Sequence, residues 1–347
     1  MSQRQQVGAP AEGVLDAGIL GDGRFAEVRA GRETILGRAV AVSLLRPVDD
    51  ATRVRLDEQT ARLAPLCDHP GLVGVLSSGT TDRGVPFVVE PRMAGSLEPG
   101  SQPVATVLDA VQVGRRIGAG LQAMHDAGVH HLDVRPANVL VDRWGGARLA
   151  DAGIADLWCR ALGISRSASQ PGVLAHLAPE LIAEAPAGVA ADVYGLAATL
   201  YTIVSGRPPF CHGIADPQTV VQRKVDGDLV DLRDRGLPAP IWAVLERGLA
   251  VDAATRHPSV ADFTNALQRA GASARLAGRG GPLAPPSATD PPVATRHNPA
   301  LPPLPPQPWP PAARAAEARA AETRAAETRA AETRAAETRA AGEGRAV

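Results

Sequence analysis

The sequence is nearly devoid of lysine: Lys224 is the one lysine in 347 residues, and every other basic side chain is arginine. Chemistry that requires a primary amine therefore has no residue to use before position 224. Cysteine is scarce too. Cys67, Cys159 and Cys211 show no paired spacing, which argues against a disulfide framework or a zinc ribbon and predicts small core thiols in a reducing compartment. A net charge of −1 leaves no overall field for nucleic acid or an acidic membrane surface. The longest apolar helical run, "VYGLAATLYTIV", is too short to span a bilayer, and "MSQRQQVGAPAEG" has no apolar core for a secretory signal. These absences predict a cytoplasmic protein with no membrane span and no nucleic-acid partner.

A hydrophobic content of 45% over this length is enough for a sizeable core. After a flexible N-terminus at 1–13, residues 14–92 read as short strands with one helix. "GILGDGRFAEVRA" sets glycines around apolar runs, "AVAVSLL" and "PFVVE" are β-rich, and "ATRVRLDEQTARLAPL" is helical. From 93 to 272 the periodicity is helical, as in Val107, Val111, Ile117, Leu121 and Met124, or Val193, Leu196, Leu200 and Val204. The expected fold class is α+β, a small β-rich lobe followed by a larger helical one. Residues 273–311 are proline-dense and predict an extended, exposed linker. Residues 312–347 repeat RAAET; a five-residue period puts no apolar stripe on a helix, so a solvated spacer is expected.

Between the lobes stands "VHHLDVRPANVLVDRWGGARLADAG". Here the chain resembles the bacterial branch of the Ser/Thr protein kinases: His131, Leu132, Asp133, Val134, Arg135, Pro136, Ala137 and Asn138 match HRDxKPxN, and Asp151, Ala152 and Gly153 match DFG. The resemblance covers about 14–270. Gly21, Gly23 and Val28 match GxGxxGxV, "VAVSLL" matches VAVK, "FVVEPRMAGSL" matches the strand up to the hinge, and Ala178, Pro179 and Glu180 match APE.

The resemblance implies a bilobal kinase fold with ATP and magnesium as cofactors. Asp133 would accept the acceptor hydroxyl's proton, with Arg135 and Asn138 beside it, while Asn138 and Asp151 would hold the metal. Gly21 and Gly23 would cover the phosphates, and Val28, Ala41, Ser43, Glu90 and Leu140 fall at nucleotide-facing positions. Glu180 with Arg256 and the helix residue Asp192 match structural positions of the family.

Ser43 occupies the place of the strand lysine that pairs with the phosphates and with a helix glutamate. Strand alternation puts Arg38 and Arg46 on the opposite face, Ala26 stands at the third glycine, and Arg24 at the loop tip is the one nearby candidate cation. Glu58, the helix partner by position, is expected to be a solvated charge. Leu132, Ala152, Arg135 and Val173 also depart from the pattern around the acceptor site, and Ser165, Ser167 and Ser169 read as loop polarity. The leading expectation is a pseudokinase that binds ATP with magnesium and acts through partner proteins in signalling or as a scaffold. Two other readings stand beside it: a weakly active Ser/Thr kinase with Asp133 as base, and an adaptor whose "PALPPLPPQPWPP" stretch docks as a polyproline helix.

Overall fold

The computed structural model describes residues 13–98, 106–213 and 216–284. The proline-dense linker beyond 284, the RAAET repeats and residues 1–12 lie outside the described residues.

The N-terminal lobe is a five-stranded antiparallel sheet. Its strands are β1 (Val14–Asp22), β2 (Ala26–Glu33), β3 (Ala39–Leu45), β4 (Ser77–Thr80) and β5 (Pro86–Pro91), in the order β1-β2-β3-β5-β4. The period-two pattern of β3 separates two faces. Val40 and Val42 pack outward with Val14, Phe87 and Val89, while Ala41 and Ser43 face the other way. Helix α1 (Asp50–Leu63) follows, its N-terminus capped by Asp49, whose carboxylate accepts from the Thr52 N–H at 2.7 Å.

The C-terminal lobe begins with α2 (Val107–Asp126), capped by Thr106. Strands β6 (Gly95–Ser96), β7 (Val139–Val141) and β8 (Ala147–Leu149) form a second, three-stranded sheet. Helices α3 (Ile154–Ala161), α4 (Pro171–His176), α5 (Pro179–Ile182), α6 (Val189–Ser205), α7 (Pro217–Asp226), α8 (Ala239–Gly248) and α9 (Val260–Leu276) complete it. Helix α6 is apolar all round because it is the centre of the lobe, packed by α2, α8 and α9. Glycines 114 and 118 of α2 permit that approach: a Cβ at Gly114 would lie 2.7 Å from Leu200 and Leu267, and one at Gly118 2.3 Å from Thr264.

Three expectations need correction. Helix α9 runs through the boundary at 272 to Leu276. Cys159 and Cys211 are buried free thiols, but Cys67 is exposed, because it caps the short 3-10 turn after α1 on the solvent side. Ser169 is not loop polarity; it is buried and hydrogen-bonded. The single lysine is buried as well: Lys224 donates to the Leu177 carbonyl and lies 4.4 Å from the Tyr194 ring centroid. Burial holds its pKa well below the usual lysine range.

Candidate functional site

The site is the space between the lobes, and its roof follows from strand register. Val28 pairs with Ser43, Ser43 with Val88, Ala30 with Ala41, and Ala41 with Glu90. Directly opposed residues of an antiparallel pair share a face, so Val28, Ala30, Ala41, Ser43, Val88 and Glu90 all point the same way. At one end the glycine-rich turn closes with a hydrogen bond from the Gly23 N–H to the Ala26 carbonyl at 2.8 Å, and Gly21 pairs with Val28 just before it. Leu140 of β7 contributes from the C-terminal side, packed against Val73, Met93 and Ala150.

The floor is a braced loop. Asp192 of α6, fully buried, accepts from the backbone N–H groups of His131 at 2.8 Å and Leu132 at 2.7 Å, and from His125 Nε2 at 2.8 Å. Those bonds hold Leu132 at φ 59°, a left-handed conformation costly for a branched side chain. His131 donates from Nε2 to the Ala150 carbonyl at 2.7 Å and accepts the Asp133 N–H on Nδ1 at 3.3 Å, which joins the loop to the strand leading to Asp151. Asn138 donates to the Asp133 carbonyl at 2.8 Å and to its Oδ2 at 2.9 Å, and Arg135 Nε donates to the same Oδ2 at 3.3 Å. The structure thus brings Asp133, Arg135 and Asn138 into one hydrogen-bonded group.

Asp151, also at φ 59°, faces that group. Burial pushes its pKa up and the Asp133 charge adds to that, while the Arg135 charge pulls it down. Asn138 spends its amide N–H groups on Asp133, which leaves its carbonyl oxygen for a ligand. A carboxylate and an amide oxygen are hard donors that suit magnesium shared with phosphate oxygens. No group of three or more acidic, histidine or cysteine side chains able to hold a metal unaided occurs among the described residues. The residues present fit a metal that arrives with a nucleotide.

The cation expected above Asp151 is missing. Ser43 sits mid-strand, 6% exposed. Glu58 is exposed on α1, as expected for a solvated charge. Arg38 pairs with Glu33 at 2.8 Å, and Arg46 donates to the Arg24 carbonyl at 2.7 Å. Arg24, the candidate substitute, donates instead to Ser169 Oγ at 2.9 Å and to the Ser165 carbonyl at 3.1 Å. Glu90, 8% exposed, has no hydrogen bond or ion pair among the described residues, and burial with the nearby Asp151 charge pushes its pKa up to about 8. The roof therefore carries an acid beside the position where the resemblance calls for a base.

Reading the sequence alone missed α3, whose signal was present: Ile154, Leu157, Trp158 and Ala161 are apolar at helical spacing. It also missed Arg166, which donates to the Leu132 carbonyl at 3.0 Å and to Asp156 at 2.8 Å. The structural pair was legible and is present: Arg256 holds Glu180 through two bonds of 2.7 and 2.9 Å.

Comparison with known proteins agrees with this geometry. The protein kinase domain family model matches residues 15–264. The chain is 35% identical over 213 residues to a probable serine/threonine-protein kinase PknB of Corynebacterium glutamicum, covering 56% of this chain and 32% of the relative. It is 33% identical over 273 residues to the serine/threonine-protein kinase PknK of Mycobacterium tuberculosis, covering 75% of this chain and 24% of that one. The matched region is thus about a third or less of either relative's length. Among solved structures, the kinase domain of Mycobacterium tuberculosis PknI superposes with a TM-score of 0.55 at 25% identity, over 75% of this chain and 96% of that one.

Proposed function

The chain belongs to the protein kinase domain family, and on that premise we propose that it is a kinase-fold regulatory protein that does not transfer phosphate and acts by binding partner proteins. The observation that carries this reading is Ser43 in the middle of β3, with Arg24 and Arg46 bonded elsewhere and with Glu90 on the same face. A triphosphate entering the cleft meets the Asp133 and Asp151 carboxyl groups, with Arg135 paired to Asp133. Coulomb repulsion in a low-dielectric cleft opposes that entry. Magnesium, when bound through Asp151 and Asn138, supplies the charge neutralisation that phosphate oxygens need.

A second reading, a weakly active Ser/Thr kinase, draws on the Asp133–Asn138–Arg135 group, which retains the geometry for accepting a hydroxyl proton. Its relatives are named serine/threonine-protein kinases. The polyproline adaptor reading falls on a stretch outside the described residues. A cytoplasmic site of action belongs to the proposal as well; no described helix is long and apolar enough to cross a membrane.

Ser43→Lys separates the first two readings. The regulatory reading expects wild type and Ser43→Lys both to lack phosphate incorporation above an Asp133→Ala blank. A measurable wild-type rate that Ser43→Lys raises identifies a weak kinase.

A further inference from the structure

Residues 278–284, which the sequence places in a free linker, are tied to the C-terminal lobe. Helix α9 ends in a left-handed turn at Gly278 (φ 65°), closed by bonds from the Gly278 N–H to the Arg275 carbonyl at 3.1 Å and from the Arg279 N–H to the Ala274 carbonyl at 2.9 Å. The chain then passes the start of α2. There the Gly281 carbonyl accepts from the Val107 N–H at 3.2 Å and the Gly280 carbonyl from the Leu108 N–H at 3.4 Å, two donors that α2 itself cannot satisfy. A Cβ at Gly280 would run into the Leu108 side chain, so this close pass needs glycine.

The far end of the segment is held as well. The Ala284 N–H donates to the Arg235 carbonyl at 3.0 Å, and the Ala284 carbonyl accepts from Arg235 Nε at 2.9 Å. Arg235 also donates to the Ser205 carbonyl at the end of α6, at 3.1 Å. Between these ties Leu283 packs against the main core of the lobe. A segment with no helix or strand of its own, held by main-chain bonds and one apolar side chain, is seated as a peptide ligand is seated in a groove. Yet it underfills that seat. A cavity of about 400 Å³ remains beside it, with Arg279 and Pro282 on one wall and Arg233, Gly236, Leu237 and Ala239 on the other.

We infer that the starts of α2 and α8 and the turn at 232–235 form a peptide-binding groove, that residues 279–284 occupy it in cis, and that a proline-leucine segment of a partner protein takes their place. The resident segment defines the partner's chemistry: leucine for the core-facing pocket, proline before it, and a backbone whose N–H and carbonyl both meet Arg235. The unfilled cavity admits side chains where the resident has only Gly280 and Gly281. Because the resident is covalently joined to the lobe, its effective concentration is high, and only a partner that fills the groove better displaces it. The groove gives the proposed partner binding a surface; it uses no cleft residue and stands whether or not phosphate is transferred.

The test uses the full chain and a fluorescein-labelled peptide of the resident sequence 279–286, with an L283S peptide as control. In the protein, Leu283→Ser removes the resident's apolar anchor, while Gly280→Val pushes the resident off Leu108 and leaves the leucine in place. Hydrogen exchange of the Val107 and Leu108 amides reports whether the segment is seated, and both variants should raise it about tenfold. By fluorescence polarisation, the emptied groove should bind the peptide about tenfold more tightly than wild type does, and should ignore the control peptide. If Leu283→Ser unfolds the lobe, Gly280→Val decides. The inference is overturned if exchange at Val107 and Leu108 is unchanged in the variants, if folded variants take up no peptide at millimolar concentration, or if wild type binds it as tightly as they do.

Discussion

Replacing Arg256 by alanine should cost about 3–5 kcal/mol of unfolding free energy, the range for removing one partner of a buried ion pair. The side chain has no solvent exposure and makes five hydrogen bonds: two to Glu180, and one each to the carbonyls of Ala190, Ala250 and Val251. Alanine would strand the Glu180 carboxylate, whose side chain is 16% exposed, with three carbonyls around it. Arg256→Lys should recover only part of the loss, because an ammonium cannot reproduce the planar two-bond grip. Urea denaturation of the full-length variants measures both. A loss below about 1 kcal/mol, the scale of an exposed pair, would mean that the pair does not brace this lobe.

Glu90→Gln should stabilise the protein, and by an amount that grows with pH. The folded-state pKa of Glu90 is raised from 4.5 to about 8 by burial, with the Asp151 charge adding to it. A raised carboxyl contributes most below its unfolded value, and that contribution is lost as pH climbs through the folded value. At about 1.4 kcal/mol per pKa unit, wild type should lose on the order of 4 kcal/mol from this group between pH 4.5 and 8. The glutamine variant escapes that loss, so the gap between the two should be small at pH 5, widen steadily, and level off above pH 8. Parallel stability curves across that range would show that Glu90 is solvated, not sealed against Asp151.

Much of this cleft was legible because kinase-like motifs and strand periodicity act locally. The alternation of "AVAVSLL" separates Ala41 and Ser43 from the outward valines, and "HLDVRPAN" followed by "DAG" marks the loop that Asp192 braces. What was hidden depends on partners distant in sequence. Glu90 is recognisable as an inward acid only once β5 is registered on β3, opposite Ala41. The "IADLW" run reads as an amphipathic helix on its own, but nothing local says that its tryptophan is received by Leu45, Leu56 and an Arg46 carbonyl more than a hundred positions away. Arg24 reads from sequence as a candidate substitute cation because it sits at the tip of the turn just after Gly21 and Gly23; its actual acceptors, Ser165 and Ser169, come from the other lobe. Lys224 shows the converse, a residue type associated with chemistry that is spent against Tyr194 and a backbone carbonyl.

The loss of the roof cation is the feature on which the functional reading turns, and phosphate transfer is its most direct test. Full-length wild type should be incubated with magnesium and ATP labelled at the γ-phosphate, alone and with a general protein acceptor, and compared with Asp133→Ala. The account predicts that wild type incorporates no more label than Asp133→Ala, as self-phosphorylation or on the acceptor. Magnesium-dependent incorporation by wild type that Asp133→Ala abolishes would contradict it, and would show that Asp133, Asn138 and Asp151 catalyse transfer without a basic residue at position 43.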